Sequence, residues 1–567
     1  IINVGDEIIE QAYQKMSSTT QKQDFLLEAM PLYYYAIQFE SEQNNHPKVL
    51  EYSEKIRNRS FLDQIGTENA LKLNGISESK RQEIKNQIET MEKSRRIIEE
   101  QNNLEITNRD INKTKEATKS FTEAENKLKK LDSEIGKQIP QYKMLRTPKT
   151  ISASEAQKYC GKNRAILEYV LYNFDSEDKT ASQNFAYCIV ITNKKIQTVT
   201  LDSDFDYIKA VNNFRDGLTH RPQYSEVKFE KERNELYEKL IAPVLPFISS
   251  QKEILIVPDA NLSFLPFDIL REKPESRDFG EKRVIAFSPS ISVSVITEKY
   301  KSSSSDMLGF GGAWYDKTLT KEEHMTLLSG SSNKTNDRFY SLDTTQMKLS
   351  TEELQKIMEL EGPQKYFDAK NLLWKDLPGT VAELEKLKNE TFKKGTFKIQ
   401  LDASENNLKN LSENGSLNKY SVIHFACHGY FDNDFSEMSS IVFSEASGQL
   451  DNSSNDDGYL SVSEAATLNL NAQAVCLSAC QTGLSEIKKG AGMVGLSRDF
   501  MVAGAKKVIV TLWSVDDDAT TEFITRMYKK VQSGKSYEEA IKLVKQEFRN
   551  SKEYSHPYYW AGFVLYK

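Results

Sequence analysis

Two apolar runs in this chain each end on a side chain able to do chemistry. SVIHFACHG (421–429) closes on His428-Gly429, and AQAVCLSACQTG (472–483) carries Cys480 at its exit. A thiol of pKa about 8.5 is only a few per cent ionised at neutral pH, and a nearby imidazole can take its proton or hold the anion. Gly429 allows a sharp backbone turn, and its N–H, beside that of Cys480, can point at a developing oxyanion. These groups predict an acyl-transfer site with His428 and Cys480 as the catalytic pair and Gly429 and Cys480 as oxyanion donors. Three competing arrangements use neighbouring residues. His424 lies mid-strand and reads as a satisfied core histidine. His424, His428, Cys476 and Cys480 share pleat parity within their strands, which would suit tetrahedral zinc; thiols spaced CxxxC along a strand splay apart, however, so no metal is expected. Ser453, Asn455, Asp457, Gly458 and Glu464 fall on calcium-loop positions, but the first position calls for Asp, and SVSEAATL reads as a turn entering a helix. The chemistry needs no cofactor.

Strands must deliver both groups, because functional side chains in doubly wound sheets collect at the C-terminal ends of strands. From Gly161 onward, RAILEYVLYNF, NFAYCIVITNKKIQTVTL, EILIVPDANLSFLPFDIL and RVIAFSPSISVSVI are β-branched and aromatic runs, alternating with helical stretches such as YSEVKFEKERNELYEKLIAPVL. A second alternation follows: MLGFGGAW, a polar helix-rich region to about 410, then VIHFACHG, AVCLSACQ, KVIVTLW and WAGFVLY. Continuous apolar strands of this kind predict α/β architecture with doubly wound, mainly parallel sheets covered on both faces. Ser302–Ser305 reads as a linker and 444–457 (SEASGQLDNSSNDD) as a surface loop.

The N-terminal part is all-α. LLEAMPLYYYAIQF and HPKVLEYSEKIRNRSFLDQIG are amphipathic, and residues 76–135 contain neither Gly nor Pro. Within them Ala117, Phe121, Ala124, Leu128, Leu131 and Ile135 alternate spacings of four and three. Ile84, Ile88, Met91 and Ile98 do so with a gap at Arg95, which makes the seam of a helical hairpin or coiled coil. The expected division is therefore 1–65 helical, 66–150 a hairpin spacer, 151–300 an α/β half without a catalytic pair, and 301–567 the half that carries it. The earlier half offers only Cys160, Cys188 and His220, none at a comparable strand end, and is expected to support the later one.

A length of 567 residues exceeds one core at roughly 150 residues per domain. Net charge is −7, from 75 basic and 82 acidic residues, which argues against direct nucleic-acid binding. Five cysteines, an odd number in a long chain, form no disulfide framework and predict a reducing compartment, the cytoplasm. No apolar run nears the ~18 residues needed to span a bilayer, so no membrane is expected as partner. The chain begins at Ile1 rather than Met and is expected to be a fragment.

HFACHG, LSACQTG and GLSRDFMVAGAKKVIVTLWSVDDDAT resemble the CHAT domain, the caspase-like domain found with tetratricopeptide repeats. So do LIVPDANLSFLPFDIL, FSPSISV, LPGTVAELEKL and YYWAGFVLY, in the family's order from about residue 160 to the C-terminus. The resemblance implies a caspase-like fold, a pseudo-half plus a catalytic half, of the clan CD cysteine peptidases. In that clan the dyad histidine precedes a glycine and the cysteine ends the next core strand, so His428 and Cys480 carry over as the dyad and Gly429 as an oxyanion donor. LEYSEKIRNRSFLDQIG resembles the helical stretch that links such repeats to the domain, with at most one or two degenerate repeats present. Metacaspases place Asp two residues before the cysteine, where this chain has Ser478. The implied function is a cysteine endopeptidase cleaving a specific protein substrate in a bacterial defence or signalling system. A protein or ribonucleoprotein activator would act through the N-terminal helices, and the glycine-rich LSEIKKGAGMVG (484–495) would switch conformation. A catalytically silent scaffold and a helical interaction module are the rival readings. In caspase-like folds the strand after the catalytic one and its exit line the pocket for the residue before the scissile bond. Here that is VIVTLWSVDDDAT, so Trp513, Ser514, Asp516 and Asp517 are the substrate-binding candidates. An aspartate there would select Arg or Lys, with a large apolar residue second; the same aspartates would also suit a helix N-cap.

Overall fold

The computed structural model describes residues 2–15, 19–57, 76–104, 109–138, 150–172, 184–219, 226–299, 306–316, 320, 322–323, 341–342, 350–361, 363–370, 372–374, 376–430, 438–444, 457–478 and 496–567. The chain falls into two compact units, Ile1–Ser152 and Ala153–Lys567.

The first unit is helical. Thr19–Glu42 packs against His46–Ile56, with Tyr33 and Tyr52 buried between them. Lys55 ties this pair to helix Ile2–Lys15 through Asp6, at 2.7 Å. The polar 76–135 stretch is a helical hairpin, Glu78–Asn103 against Ile111–Gln138. Ser77 and Asp110 cap the two helices, which satisfies N–H groups that have no intrahelical partner. Ile84 and Met91 meet Ala124, Leu128, Leu131 and Ile135 in one apolar seam, as the alternating spacing predicts.

In the second unit the strands are β1 (Arg164–Tyr172), β2 (Phe185–Ile191), β3 (Ile196–Thr200), β4 (Glu253–Val257), β5 (Val284–Phe287), β6 (Asp306–Gly311), β7 (Ser341–Leu342), β8 (Leu372–Leu373) and β9 (Thr396–Ile399). They continue as β10 (Tyr420–Ala426), β11 (His428–Tyr430), β12 (Ser440–Val442), β13 (Tyr459–Ser461), β14 (Ala474–Leu477), β15 (Val508–Thr511) and β16 (Phe563–Tyr566). Eleven of them form one sheet in the order β3-β2-β1-β4-β5-β16-β15-β14-β10-β6-β9. A three-stranded antiparallel sheet, β11-β12-β13, and the β7–β8 ribbon stand apart from it.

The large sheet holds two parallel blocks. β1, β4, β5 and β16 run one way. β15, β14, β10, β6 and β9 run together. The blocks meet head to tail where β15 and β16 pair antiparallel, Val508 opposite Tyr566 and Thr511 opposite Phe563. The expected mixed α/β fold, mainly parallel and preceded by a helical region, is what the chain adopts. The two halves are not separate sheets packed together, however. One sheet runs through both, and the C-terminal strand of the later half is the neighbour of β5.

Local chemistry explains where strands stop. RVIAFSPSISVSVI is strand only to Phe287. Pro289 cannot donate to a ladder, and Ser290 accepts a bond from Val293 N at 3.2 Å to cap helix Ile291–Thr297. NLSFLPFDIL forms two short 3₁₀ turns, not a strand extension. β6 ends at Gly311 and is followed by Gly312, whose φ of +57° lies in the left-handed region that glycine adopts without penalty. Its N–H donates to Thr380 Oγ1 at 2.8 Å, tying the strand exit to helix Pro378–Glu390.

Candidate active site

The run VIHFACHG does not continue as one strand. β10 stops at Ala426, Cys427 makes the break, and His428 opens β11, paired with Val442 in the small sheet. Two expectations are thereby corrected. Gly429 sits inside β11 opposite Ile441 without a positive φ, so the change of direction comes earlier, at Cys427. His424 and His428 belong to different sheets, so the pleat parity that suggested shared zinc ligation does not carry across the break.

His428 is 2% exposed, and two aromatic rings pack against its imidazole. Tyr315 meets it edge-on at a centroid distance of 4.7 Å, and Trp374 packs at 4.9 Å with the planes tilted by 41°. The His428 N–H donates to the Tyr315 hydroxyl at 3.3 Å, and that hydroxyl donates to Val442 O at 3.0 Å. Asp376 Oδ1 accepts from Tyr315 N at 2.8 Å, and Trp374 Nε1 donates to Tyr459 Oη at 2.9 Å. Each clamping ring is thus fixed by a hydrogen bond of its own, which restricts the imidazole to few orientations.

A second buried group braces the two strands that lead to the site. Glu383, fully buried on helix Pro378–Glu390, places Oε1 at 3.0 Å from His424 Nε2 and accepts from Ser478 Oγ at 2.8 Å. The other ring nitrogen of His424 faces Tyr528 Oη at 3.4 Å. His424 is therefore a core histidine with partners on both sides. Across the ladder His424 pairs with Cys476 and Phe425 with Leu477, and Ser478 N donates to Phe425 O at 2.8 Å. β14 and β10 so leave the sheet in step, one toward Ser478 and the other toward His428.

Cys480 lies outside the described residues, as do segment 484–495, Ser302–Ser305 and most of the 444–457 loop. Two other thiols near the site are unsuited to be nucleophiles. Burial pushes the Cys427 thiol up to about 12, against a bond from Tyr315 that acts the other way. Burial likewise raises Cys476, with the charge of Glu383 adding to it. A protonated, inaccessible thiol is inert.

The substrate-binding candidates follow β15. Asp516 Oδ1 accepts from Ala519 N at 3.0 Å and caps helix Asp517–Gln532, so that oxygen serves the helix. Trp513 is buried at 3% exposure and donates Nε1 to Tyr558 O at 2.9 Å; it does not stand open as a pocket wall. Ser514 O accepts from Tyr558 Oη at 2.9 Å. The Asp517 carboxylate lies against Gly379, where any Cβ would collide with it. Among the former calcium-loop positions, Asp457 Oδ1 accepts from Tyr459 N at 2.9 Å. Glu464 forms a capping box with Ser461 and an ion pair with Lys409 at 2.8 Å. Ser453 and Asn455 lie outside the described residues. Among the described residues no three His, Cys, Asp or Glu side chains group to hold a metal ion.

Sequence reasoning missed Tyr315, Trp374 and Glu383. For Glu383 a signal existed: it shares the buried stripe Thr380–Glu383–Leu384–Leu387 of its helix, where an unpartnered carboxylate would be costly. Tyr315 and Trp374 carry no comparable mark.

A ring-clamped histidine at the exit of a central strand, beside a strand that runs on toward a cysteine, defines a candidate thiol acyl-transfer centre on a mixed α/β sheet. The chain belongs to the CHAT-domain family, whose model matches residues 230–567. Human tetratricopeptide repeat protein 28 is 33% identical over 106 residues, and the mouse protein of that name 36% over 110; each match covers 19% of this chain. The match spans about 4% of the length of those relatives. Among solved structures, the Saccharomyces cerevisiae separase–securin complex aligns at 10% identity and TM-score 0.37, covering 92% of this chain and 40% of that one. The Arg-specific cysteine proteinase gingipain R aligns at 9% and 0.31, covering 64% and 74%. No helix among the described residues is long and apolar enough to cross a membrane.

Proposed function

We propose that this chain is a cysteine endopeptidase that cleaves a specific protein substrate through a His428–Cys480 dyad. The observation that carries the reading is the clamped, buried imidazole of His428 at the exit of β10, in step with Ser478 at the exit of β14. Cys480 follows Ser478 by two residues, and two residues of chain reach about 7 Å at most. His428 takes the thiol proton, Cys480 attacks the scissile carbonyl, and the Gly429 and Cys480 N–H groups receive the oxyanion. The imidazolium then protonates the leaving amine, and water releases the acyl group by the reverse sequence. Of the candidates after β15, Ser514, Asp516 and Asp517 would line the pocket for the residue before the scissile bond, while Trp513 is buried. An aspartate there, Asp516 or Asp517, would favour Arg or Lys, and Asp516 Oδ1 also caps helix Asp517–Gln532. Such an enzyme would stay latent until a protein or ribonucleoprotein activator engages the N-terminal helices, in the cytoplasm of a bacterial defence or signalling system. An electrophilic peptide ending in Arg tests the site: covalent capture by the native chain plus activator is expected, and none by Cys480→Ala. Capture that survives Cys480→Ala would sink the reading.

A further inference from the structure

A cavity of 510 Å³ opens where the N-terminal ends of β1, β4 and β15 approach the end of β16, away from His428. Its size is that of a small-ligand site. Among the described residues, seven lysine or arginine side chains and four glutamates line it, in a chain whose overall charge is −7. Three of the cations are neutralised in place. Arg164 meets Glu253 at 3.3 Å, and Glu538 holds Lys507 at 2.7 Å and Lys567 at 3.2 Å. Lys252, Lys282, Lys506 and Lys542 make no ion pair among the described residues. Of the remaining carboxylates, Glu539 closes the capping box with Ser536 at the start of helix Tyr537–Arg549, and Glu298 faces Arg164. The unpaired lysines thus converge with little counter-charge. Burial depresses Lys542, with Glu539 acting against it and Lys252 with it; burial depresses Lys567 too, opposed by Glu538 and reinforced by Arg164 and Lys507. Like charges gathered in a half-enclosed site raise the local potential and attract anions. Tyr159, Ile254, Leu255, Val284 and Ala286 supply an apolar wall beside the ammonium groups.

We infer that this cavity binds a small, multiply charged phosphate anion, held by Lys252, Lys282, Lys506 and Lys542. Several phosphate groups in a row match several ammonium groups whose own carboxylates are missing or engaged elsewhere, and charge-assisted bonds of this kind are the strong ones. Two sources share the chemistry, a free polyphosphate and a nucleoside triphosphate whose base would lie on the apolar wall. Because the cavity is lined by Lys506 and Lys507 just before β15, Lys567 just after β16, and helix Tyr537–Arg549, its ligand would bear on the junction of the two parallel blocks.

Isothermal titration of the full chain with sodium tripolyphosphate and, separately, ATP tests the site at two salt concentrations. Saturable 1:1 binding is expected, weakening about tenfold from 50 to 300 mM salt as screening rises. Tighter binding of ATP assigns the nucleotide, and equal binding assigns the phosphate chain. Lys252→Glu with Lys542→Glu should weaken binding at least tenfold. Lys393→Glu with Lys394→Glu, on an exposed turn elsewhere, should leave it unchanged. Should the first double variant fail to fold, Lys252→Gln alone, at an exposed position, should still weaken binding and flatten the salt dependence. Absence of saturable binding by the native chain would overturn the assignment, as would equal losses in both double variants.

Discussion

In each parallel block of the large sheet a central apolar strand runs out into a polar turn, but the two turns are used differently. At the exit of β4, Asp259 accepts from Leu171 N at 2.8 Å and from Ala260 N at 2.9 Å. At the exit of β5, Ser290 caps a helix. These side chains satisfy backbone donors left over where a strand stops or a turn begins. At the exit of β10 the chain crosses into a second sheet, and the rings of Tyr315 and Trp374 pack against His428. A strand end in an α/β sheet offers a niche; at β4 and β5 it holds a capping side chain, and at β10 a histidine packed against aromatic rings. Glu383 sharpens the contrast, because in the block that carries His428 the bracing of strand exits falls to a buried carboxylate on another element.

The hardest test of the comparison removes one block. A 298–567 fragment lacks β1, β4 and β5 and leaves β16 with an open, apolar edge, so it should be insoluble or inactive. A soluble fragment that labels with the peptide probe would break the idea that the blocks depend on each other. Next come the dyad residues. Cys480→Ala and His428→Ala should each lower peptide turnover by about 10³-fold or more, since the two act as a unit. Thermal unfolding should place Cys480→Ala within about 1–2 kcal/mol of the native chain. Cys476→Ala should keep its activity, and the reverse pattern would move the nucleophile to Cys476.

Bracing is tested by stability. Glu383→Ala strands His424 and Ser478 in the core and should cost about 3–5 kcal/mol in denaturant unfolding. Asp259→Ala, its counterpart in the other block, should cost about 1–2 kcal/mol, as a cap does. Equal losses would erase the distinction between the blocks. The remaining effect belongs to the junction and depends on pH. Burial opposes ionisation of Glu538, yet the ammonium groups of Lys507 and Lys567 bring it down to about 2. A carboxylate depressed in the folded state stabilises above its unfolded pKa, near 4.5, and loses that contribution as pH falls toward 2. Glu538→Gln should therefore be about 2–3 kcal/mol less stable at pH 7, with the gap closing below pH ~4.5. A gap independent of pH would show that packing, not charge, is what Glu538 supplies.

The strands of both blocks, the helical hairpin and the exit position of His428 were legible because each is written in local periodicity. Continuous β-branched runs have one stable use, a sheet covered on both faces. The 4–3 spacing of Ala117 to Ile135 likewise has one, a narrow seam. The family resemblance rested on short motifs in order and needed no contacts. Caps were legible in kind, though not in choice: Asp516 was a candidate for both pocket and cap, and only the bond to Ala519 N shows the cap.

Tertiary structure alone decided what lies across the sequence. Nothing local in YYWAGFVLY says that β16 would pair antiparallel with β15 and so join two oppositely directed blocks. Nothing in VIHFACHG marks the one-residue break that sends His428 into another sheet. Glu383 stands 41 residues before His424 and 95 before Ser478, and Tyr315 113 before His428. A residue's type and spacing determine which face of an element it occupies. Which distant group meets it there depends on how the elements pack, and that is settled by the whole chain at once.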